Sequence, residues 1–263
     1  MTATAKLGLL TRLAAVGLGA ALGALVFAGA GSASAEPLQT VQGKAQSGQA
    51  WSQMMLGLEY RDGVDVAPNL AQAIVWFRKA ADQGFAPAMR MMGSLYAEGA
   101  VVPRDDAEAF KWTKQAAQQG LAEAQVSLGR MYAAGLGVAR SDKDAVFWFK
   151  QAARQDDDEG ERLLAVAYAQ GVGEHQNYGR AAGLFRLAAD QGNAEAQISL
   201  GQFYEEGAGL TQDLNQARAW FNAAIDRCRT VEACQRAAED RLRVQAKLSI
   251  VAIEAKKIAE ASN

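Results

Sequence analysis

The chain repeats itself. A block of 36 residues recurs five times in succession without an insertion, beginning at Gly48, Gly84, Gly120, Asp156 and Gly192. In every block Tyr stands at offset 12 from the first residue (Tyr60, Tyr96, Tyr132, Tyr168, Tyr204) and Gly at offset 15 (Gly63, Gly99, Gly135, Gly171, Gly207). A constant period of this length marks a repeat array, in which each unit buries its apolar face only against its neighbours. The expected fold is therefore an extended solenoid offering a long surface in place of one closed pocket, and the expected trade is binding.

Apolar residues inside a block recur at helical spacing, as in Met55, Leu56 and Tyr60 and again in Ala73, Trp76, Phe77, Ala80 and Ala81, so each block reads as two helices, A and B. The offset-15 glycine can end helix A in the left-handed conformation. Asn69, Asp105, Ser141, Asn177 and Asp213 then supply a preferred N-cap residue for each helix B. Pro68 and Pro103, ahead of two of these caps, stop helix A from continuing. Helix B ends at the leading glycine of the next block.

The pattern A-x-A-x-x-x-L-G-x-x-Y-x-x-G, a variable loop, then A-x-x-W-F-x-x-A-A resembles the Sel-1-like repeat family. Block three shows it as Ala122, Ala124, Leu128-Gly129, Tyr132, Gly135, then Ala145, Trp148-Phe149 and Ala152-Ala153. The resemblance spans residues 48–227 as five blocks (48–83, 84–119, 120–155, 156–191, 192–227). It implies an all-α, right-handed α/α solenoid related to tetratricopeptide repeats, with scaffold or adaptor roles that include periplasmic members restraining a sensor kinase. Block four departs from the pattern: Leu184 replaces the Trp, Ala165 the helix A glycine and Asp156 the leading glycine.

Outside the array, residues 1–35 read as a cleavable secretory leader. Lys6 and Arg12 precede an apolar run from Leu13 to Ala28, and Ala33-Ser34-Ala35 offers a small-residue cleavage site. Residues 36–47 are expected to cap the array at its N-terminal side and residues 228–263 to form a C-terminal capping helix. The expected address is periplasmic or secreted, with no membrane span after cleavage. The chain carries 27 Lys and Arg against 29 Asp and Glu, and removing Lys6 and Arg12 leaves 25 against 29, a balance with no general affinity for nucleic acid.

Catalytic chemistry finds little to work with. His175 is the one histidine, sits in a loop and cannot build a multi-histidine metal site. No Ser or Cys nucleophile motif accompanies it. The run Asp156-Asp157-Asp158-Glu159 lacks the alternating ligands and central glycine of a calcium loop and suits a helix N-terminus. No cofactor, no metal and no enzymatic activity are expected. Trp76, Trp112, Trp148 and Trp220 share one block position and read as packing residues, whereas Trp51 lies off that register and reads as an exposed anchor or a contact with the N-terminal cap. Cys228 and Cys234 are too far apart to bond within one helix but can meet across a turn, and export makes a disulfide the expectation.

The face of helix A opposite its core positions is centred on offsets 6, 10 and 13. By resemblance to the tetratricopeptide arrangement this face would line a concave groove. The expected partner-binding residues are Met54, Leu58, Arg61, Arg90, Ser94, Val126, Arg130, Arg162, Val166, Ile198 and Gln202, a set poor in Lys and Glu. Packing against the next repeat is the competing assignment for the same stripe. The expected function is a scaffold or adaptor that holds a segment of another envelope protein, with Arg90, Arg130 and Arg162 as a basic ladder for carboxylates. The alternative is an enzyme, or accessory subunit of one, acting on cell-envelope glycan such as peptidoglycan.

Overall fold

The computed structural model describes residues 37–228 and 230–261, so the leader of residues 1–35 lies outside the described residues. Described residues form helices and turns only, as the periodicity predicts. In chain order the helices are α1 (Leu38–Gln46), α2 (Ala50–Asp62), α3 (Leu70–Asp82), α4 (Ala86–Glu98), α5 (Asp106–Gln118), α6 (Ala122–Ala134), α7 (Asp142–Ala153), α8 (Asp158–Gln170), α9 (Tyr178–Asp190), α10 (Ala194–Glu206), α11 (Leu214–Arg227) and α12 (Val231–Ala261). They fall into two compact units. The first holds α1–α5, the start of α6 and residues 136–138; the second holds the rest of α6 and everything from residue 139 onward.

Each unit is built of antiparallel helical hairpins packed on the hairpin before and after. The hairpin turn is specified twice. Helix A stops at a glycine in the left-handed region, with φ of 68° at Gly63 and Gly99, 71° at Gly171 and 73° at Gly207. Six residues later the helix B cap closes: the side chains of Asn69, Asp105, Ser141, Asn177 and Asp213 each accept a hydrogen bond from a backbone N–H in the first turn. The same five residues donate their own backbone N–H to the carbonyl of the block's Tyr, as from Asn69 to Tyr60 at 2.7 Å and from Asn177 to Tyr168 at 2.8 Å. Both ends of the loop are thereby tied, and its length is fixed.

Close approach of the two helices depends on offset 9 of helix A. A Cβ placed on Gly57 or Gly129 would lie 2.5 Å from the ring of Phe77 or Phe149, and one on Gly201 would lie 2.6 Å from Phe221. In block four, Ala165 stands at this position against Phe185, both fully enclosed in the core of the second unit. The leading glycines Gly48, Gly84, Gly120 and Gly192 adopt φ between 85° and 96°, and Asp156 in block four takes φ 57° without being glycine. Asp is one of the few residues that tolerates this region through its short polar side chain.

The flanking segments are half-repeats. Helix α1 is packed as a helix B would be, with Val41 and Ala45 buried against Leu56. Gln53 donates to the Ala45 carbonyl at 3.1 Å, as Gln197 does to Ala189 at 3.0 Å inside the array. At the other end α12 begins as a helix A, burying Ala233, Ala237 and Val244 against α11. Its Arg243 occupies the place of the helix-ending glycine, so nothing stops the helix there. Arg243 instead reaches back to Glu205 at 2.6 Å, joined by Lys247 at 2.7 Å, and the Arg243 hydrogen bond holds the buried Glu205 carboxyl below its ordinary range. The Cys228–Cys234 disulfide bridges the turn between α11 and α12, as the sequence predicts.

Replacing Gly201 by Ala forces a methyl group into the Phe221 ring and is expected to lower unfolding free energy by about 1–3 kcal/mol. Urea denaturation followed by far-ultraviolet circular dichroism measures it. An unchanged midpoint would show that the glycine is not what lets the helices close.

Candidate binding surface

The stripe proposed from helical periodicity is split by the structure. Met54, Leu58, Val126 and Ile198 are only 4%, 3%, 4% and 2% exposed, so they pack inside the protein and cannot meet a partner in this state. This corrects their assignment to an open face. In a stack, helix A touches its own helix B and both neighbouring hairpins, so the side turned away from helix B is still largely covered. Gln202 is also occupied, donating to Asp240 of α12 at 3.1 Å. Ser94 and Val166 are half-buried.

The basic ladder is corrected as well: its arginines already face carboxylates of this chain. Arg61 pairs with Asp62 at 2.9 Å and Arg90 with Glu123 at 3.1 Å. Arg130 and Arg162 converge on Glu159, Arg162 at 2.6 Å, and Asn193 adds a hydrogen bond to the same carboxylate at 3.2 Å. Burial pushes the Glu159 carboxyl up, but hydrogen bonds and charge from Arg162, with Arg130 and Asn193, outweigh it and leave it below the ordinary range. Glu123 and Glu159 both stand at offset 3, as does Glu195, which pairs with Arg236 of α12 at 2.8 Å. The signal was in the sequence, in the run of Glu at one block position, and pointed to internal pairing. The acidic run is absorbed in the same way, with Asp157 capping α8 through the Gly160 N–H and Asp158 accepting from Asn193.

A second recurring contact joins offset 35 to offset 5 within blocks one, three and four. Gln83 donates to Gln53 at 2.7 Å and Gln155 to Gln125 at 2.8 Å. In block four the acceptor is Glu161, bonded by Gln191 at 2.8 Å. Glu161 is 2% exposed. Burial, followed by the surrounding negative charge of Asp156, Asp158 and Asp157, pushes its carboxyl from 4.5 up to about 7, against the opposing hydrogen bond from Gln191. Protonated, it can play the part of the glutamine found here in the other ladder blocks.

One open feature lies within the second unit. A cleft of about 430 Å³ opens between α6, α7 and α8, floored by Ala133, Val146, Phe149 and Ala167 and bordered by Arg130 and Val166, two residues of the sequence-derived stripe. Trp51 is exposed, in line with one of the two readings its off-register position allowed. Of the tryptophans on the common position, Trp112 is buried, while Trp76 and Trp220 pack partly covered against the cores. His175 is exposed in its loop. Among the described residues no group of His, Cys, Asp and Glu is arranged to hold a metal ion, and no described helix is long and apolar enough to cross a membrane.

Hairpins of this construction define a helical repeat protein of the α/α class. The chain belongs to the Sel1 repeat family, whose repeat is matched at residues 52–85, 86–121, 122–157, 158–193 and 194–227. Among solved structures it is similar to a Sel1 repeat protein from Oxalobacter formigenes at 28% identity, with 73% of this chain and 79% of that one covered and a TM-score of 0.68. It is also similar to c5321, a protective antigen of uropathogenic Escherichia coli with an SLR fold, at 29% identity and a TM-score of 0.50. There the match covers 81% of this chain and only 56% of that one. A Sel1 repeat protein from Klebsiella pneumoniae subsp. pneumoniae shares the fold at 21% identity, with 80% and 100% covered and a TM-score of 0.50. No curated protein matches the chain.

Two substitutions test these arrangements. Glu161 keeps its proton in the folded state between pH 4.5 and 7 while an unfolded chain has lost it, so this group makes stability fall as pH rises across that window. Glu161→Gln is expected to remove the slope and to stabilise the protein at pH 7.5 by roughly 1–3 kcal/mol. Urea titrations of both proteins from pH 4 to 8 measure it, and parallel curves would refute the shift. Arg162→Ala leaves a largely buried Glu159 short of a partner and is expected to cost about 1–3 kcal/mol of stability. A change in thermal midpoint within error would return Arg162 to the free surface.

Proposed function

We propose that the protein is an exported scaffold that binds a segment of another protein in the cell envelope, acting as a binding module and not as an enzyme. The observation that carries this reading is the contrast in the second unit between a ring of internally paired charges and an unfilled apolar cleft. Neutralised charges argue against a polyanionic ligand, and an apolar recess beside a polar rim is the composition of a protein interface. The Sel1 family supports the reading, its repeats being a scaffold fold typical of protein–protein interaction. Export is supported by the leader pattern ending in Ala33-Ser34-Ala35 and by the Cys228–Cys234 disulfide, a bond that persists in oxidising compartments. Regulation of an envelope signalling protein is the finer role consistent with such a module.

The test is affinity capture from an envelope extract with residues 36–263 as bait. One discrete envelope protein, displaced by excess untagged bait, is the expected recovery. Turnover of purified cell-wall fragments by the protein, with no displaceable partner, would overturn the reading in favour of a glycan enzyme.

A further inference from the structure

The cleft between α6, α7 and α8 exists because block four lacks a side chain that its neighbours have. At offset 11 the blocks carry Glu59, Leu95, Met131, Ala167 and Phe203. At the next junction along the array, Phe203 fills the corresponding space. Its ring stands edge-on to Phe185 at 5.2 Å and to Tyr178 at 6.0 Å between centroids. One block earlier the counterparts of these three residues are Ala167, Phe149 and Asp142. Two rings are thus missing at the earlier junction while the third, Phe149, remains in place as its wall. The array itself displays the shape of the absent group.

The mouth of the cleft is charged in a defined way. Asp142 is paired with Arg140 at 3.1 Å. Arg130, whose side chain is 53% exposed, shares the carboxylate of Glu159 with Arg162, which also feels the charges of Glu195 and Asp158, so Arg130 is the guanidinium at this spot that keeps much of its surface open. A second carboxylate arriving beside the cleft would complete the pairing.

We infer that this cleft is a binding site for an aromatic side chain of a partner protein, with an acidic group next to that ring meeting Arg130. The ring would take the place that Phe203 takes one block on, edge-on to Phe149, an arrangement favoured between aromatic groups. An aromatic anchor in a recess, with charge at its rim, is the usual core of a binding hot spot. That the ring comes from a protein rests on the scaffold reading above; the preference of the cleft for a ring does not.

The test uses 3-phenylpropionate as probe, titrated into residues 36–263 and followed by nuclear magnetic resonance of the amide and methyl groups. Expected are saturable shifts confined to Ala133, Val146, Ala167 and Val172, with a dissociation constant on the order of millimolar. Propionate, which lacks the ring, should give none. Ala167→Phe should weaken the probe at least tenfold; if that variant fails to fold by circular dichroism, Ala167→Met, the residue of block three, takes its place. Arg130→Gln should weaken 3-phenylpropionate and leave 3-phenyl-1-propanol unaffected. Equal shifts with propionate, or undiminished binding by the filled variant, would overturn the inference. So would unchanged capture of the envelope partner by the filled variant, which would leave the scaffold reading standing. Absence of any displaceable partner for the wild-type protein overturns the scaffold reading alone, since ring binding is read on the isolated protein.

Discussion

A hairpin of this protein closes because the ring of one helix lies against the bare backbone of the other. The glycine at offset 9 and the phenylalanine at offset 29 set the distance between helices A and B in blocks one, three and five. Buried alanines on both helices, such as Ala145, Ala152 and Ala124, keep that distance small along their length. Everything stacked outside this contact inherits its geometry. The glutamine ladder from offset 35 to offset 5 spans a fixed gap only because the two helices hold a constant spacing. The offset-3 glutamates likewise find arginines of a neighbouring helix A because each hairpin repeats the last. Packing density here is that of any protein interior, where a single added methyl group is felt.

Block four is where the pattern is relaxed. Ala165 replaces the contact glycine, Asp156 holds a left-handed conformation in place of glycine, Glu161 replaces a ladder glutamine and Ala167 leaves a space that larger residues fill elsewhere. Each change alone is tolerable, since the neighbouring blocks supply the regular contacts that hold the hairpin in register. Together they place a titrating carboxyl and part of the lining of an open cleft on the same helix, α8. Departures from local rules collect where a protein does something other than hold itself up.

The fold was legible because every element of it is written at a fixed block position. Tyr60 and its equivalents, the glycines that follow and the five cap residues mark helix ends through local chemistry, and local chemistry survives without knowledge of neighbours. The binding stripe was legible only in part. Helical periodicity locates the face of Leu58 or Ile198 that points away from helix B, but it carries no information about the adjacent hairpin that covers this face. The arginines failed for a related reason: Arg130 looks unpaired along its own helix until Glu159 of α8 is brought beside it, and the Glu159 partner that Arg162 has three residues earlier on its own helix was overlooked. The cleft was readable in principle from the column Glu59, Leu95, Met131, Ala167, Phe203, in which one small residue breaks a run of larger ones. Its meaning required knowing that Phe203 occupies the matching space.

The half-repeats α1 and α12 have a consequence for how such a protein can change. Several contacts between neighbouring blocks recur at one block position, as those of the offset-3 carboxylates Glu123 and Glu159 do, so a whole block added or removed keeps these positions in step. Neither α1 nor the Glu205-anchored start of α12 would need alteration. Copy number, and with it the extent of surface offered to a partner, is a quantity that can rise or fall in steps of 36 residues, while the ends stay as they are.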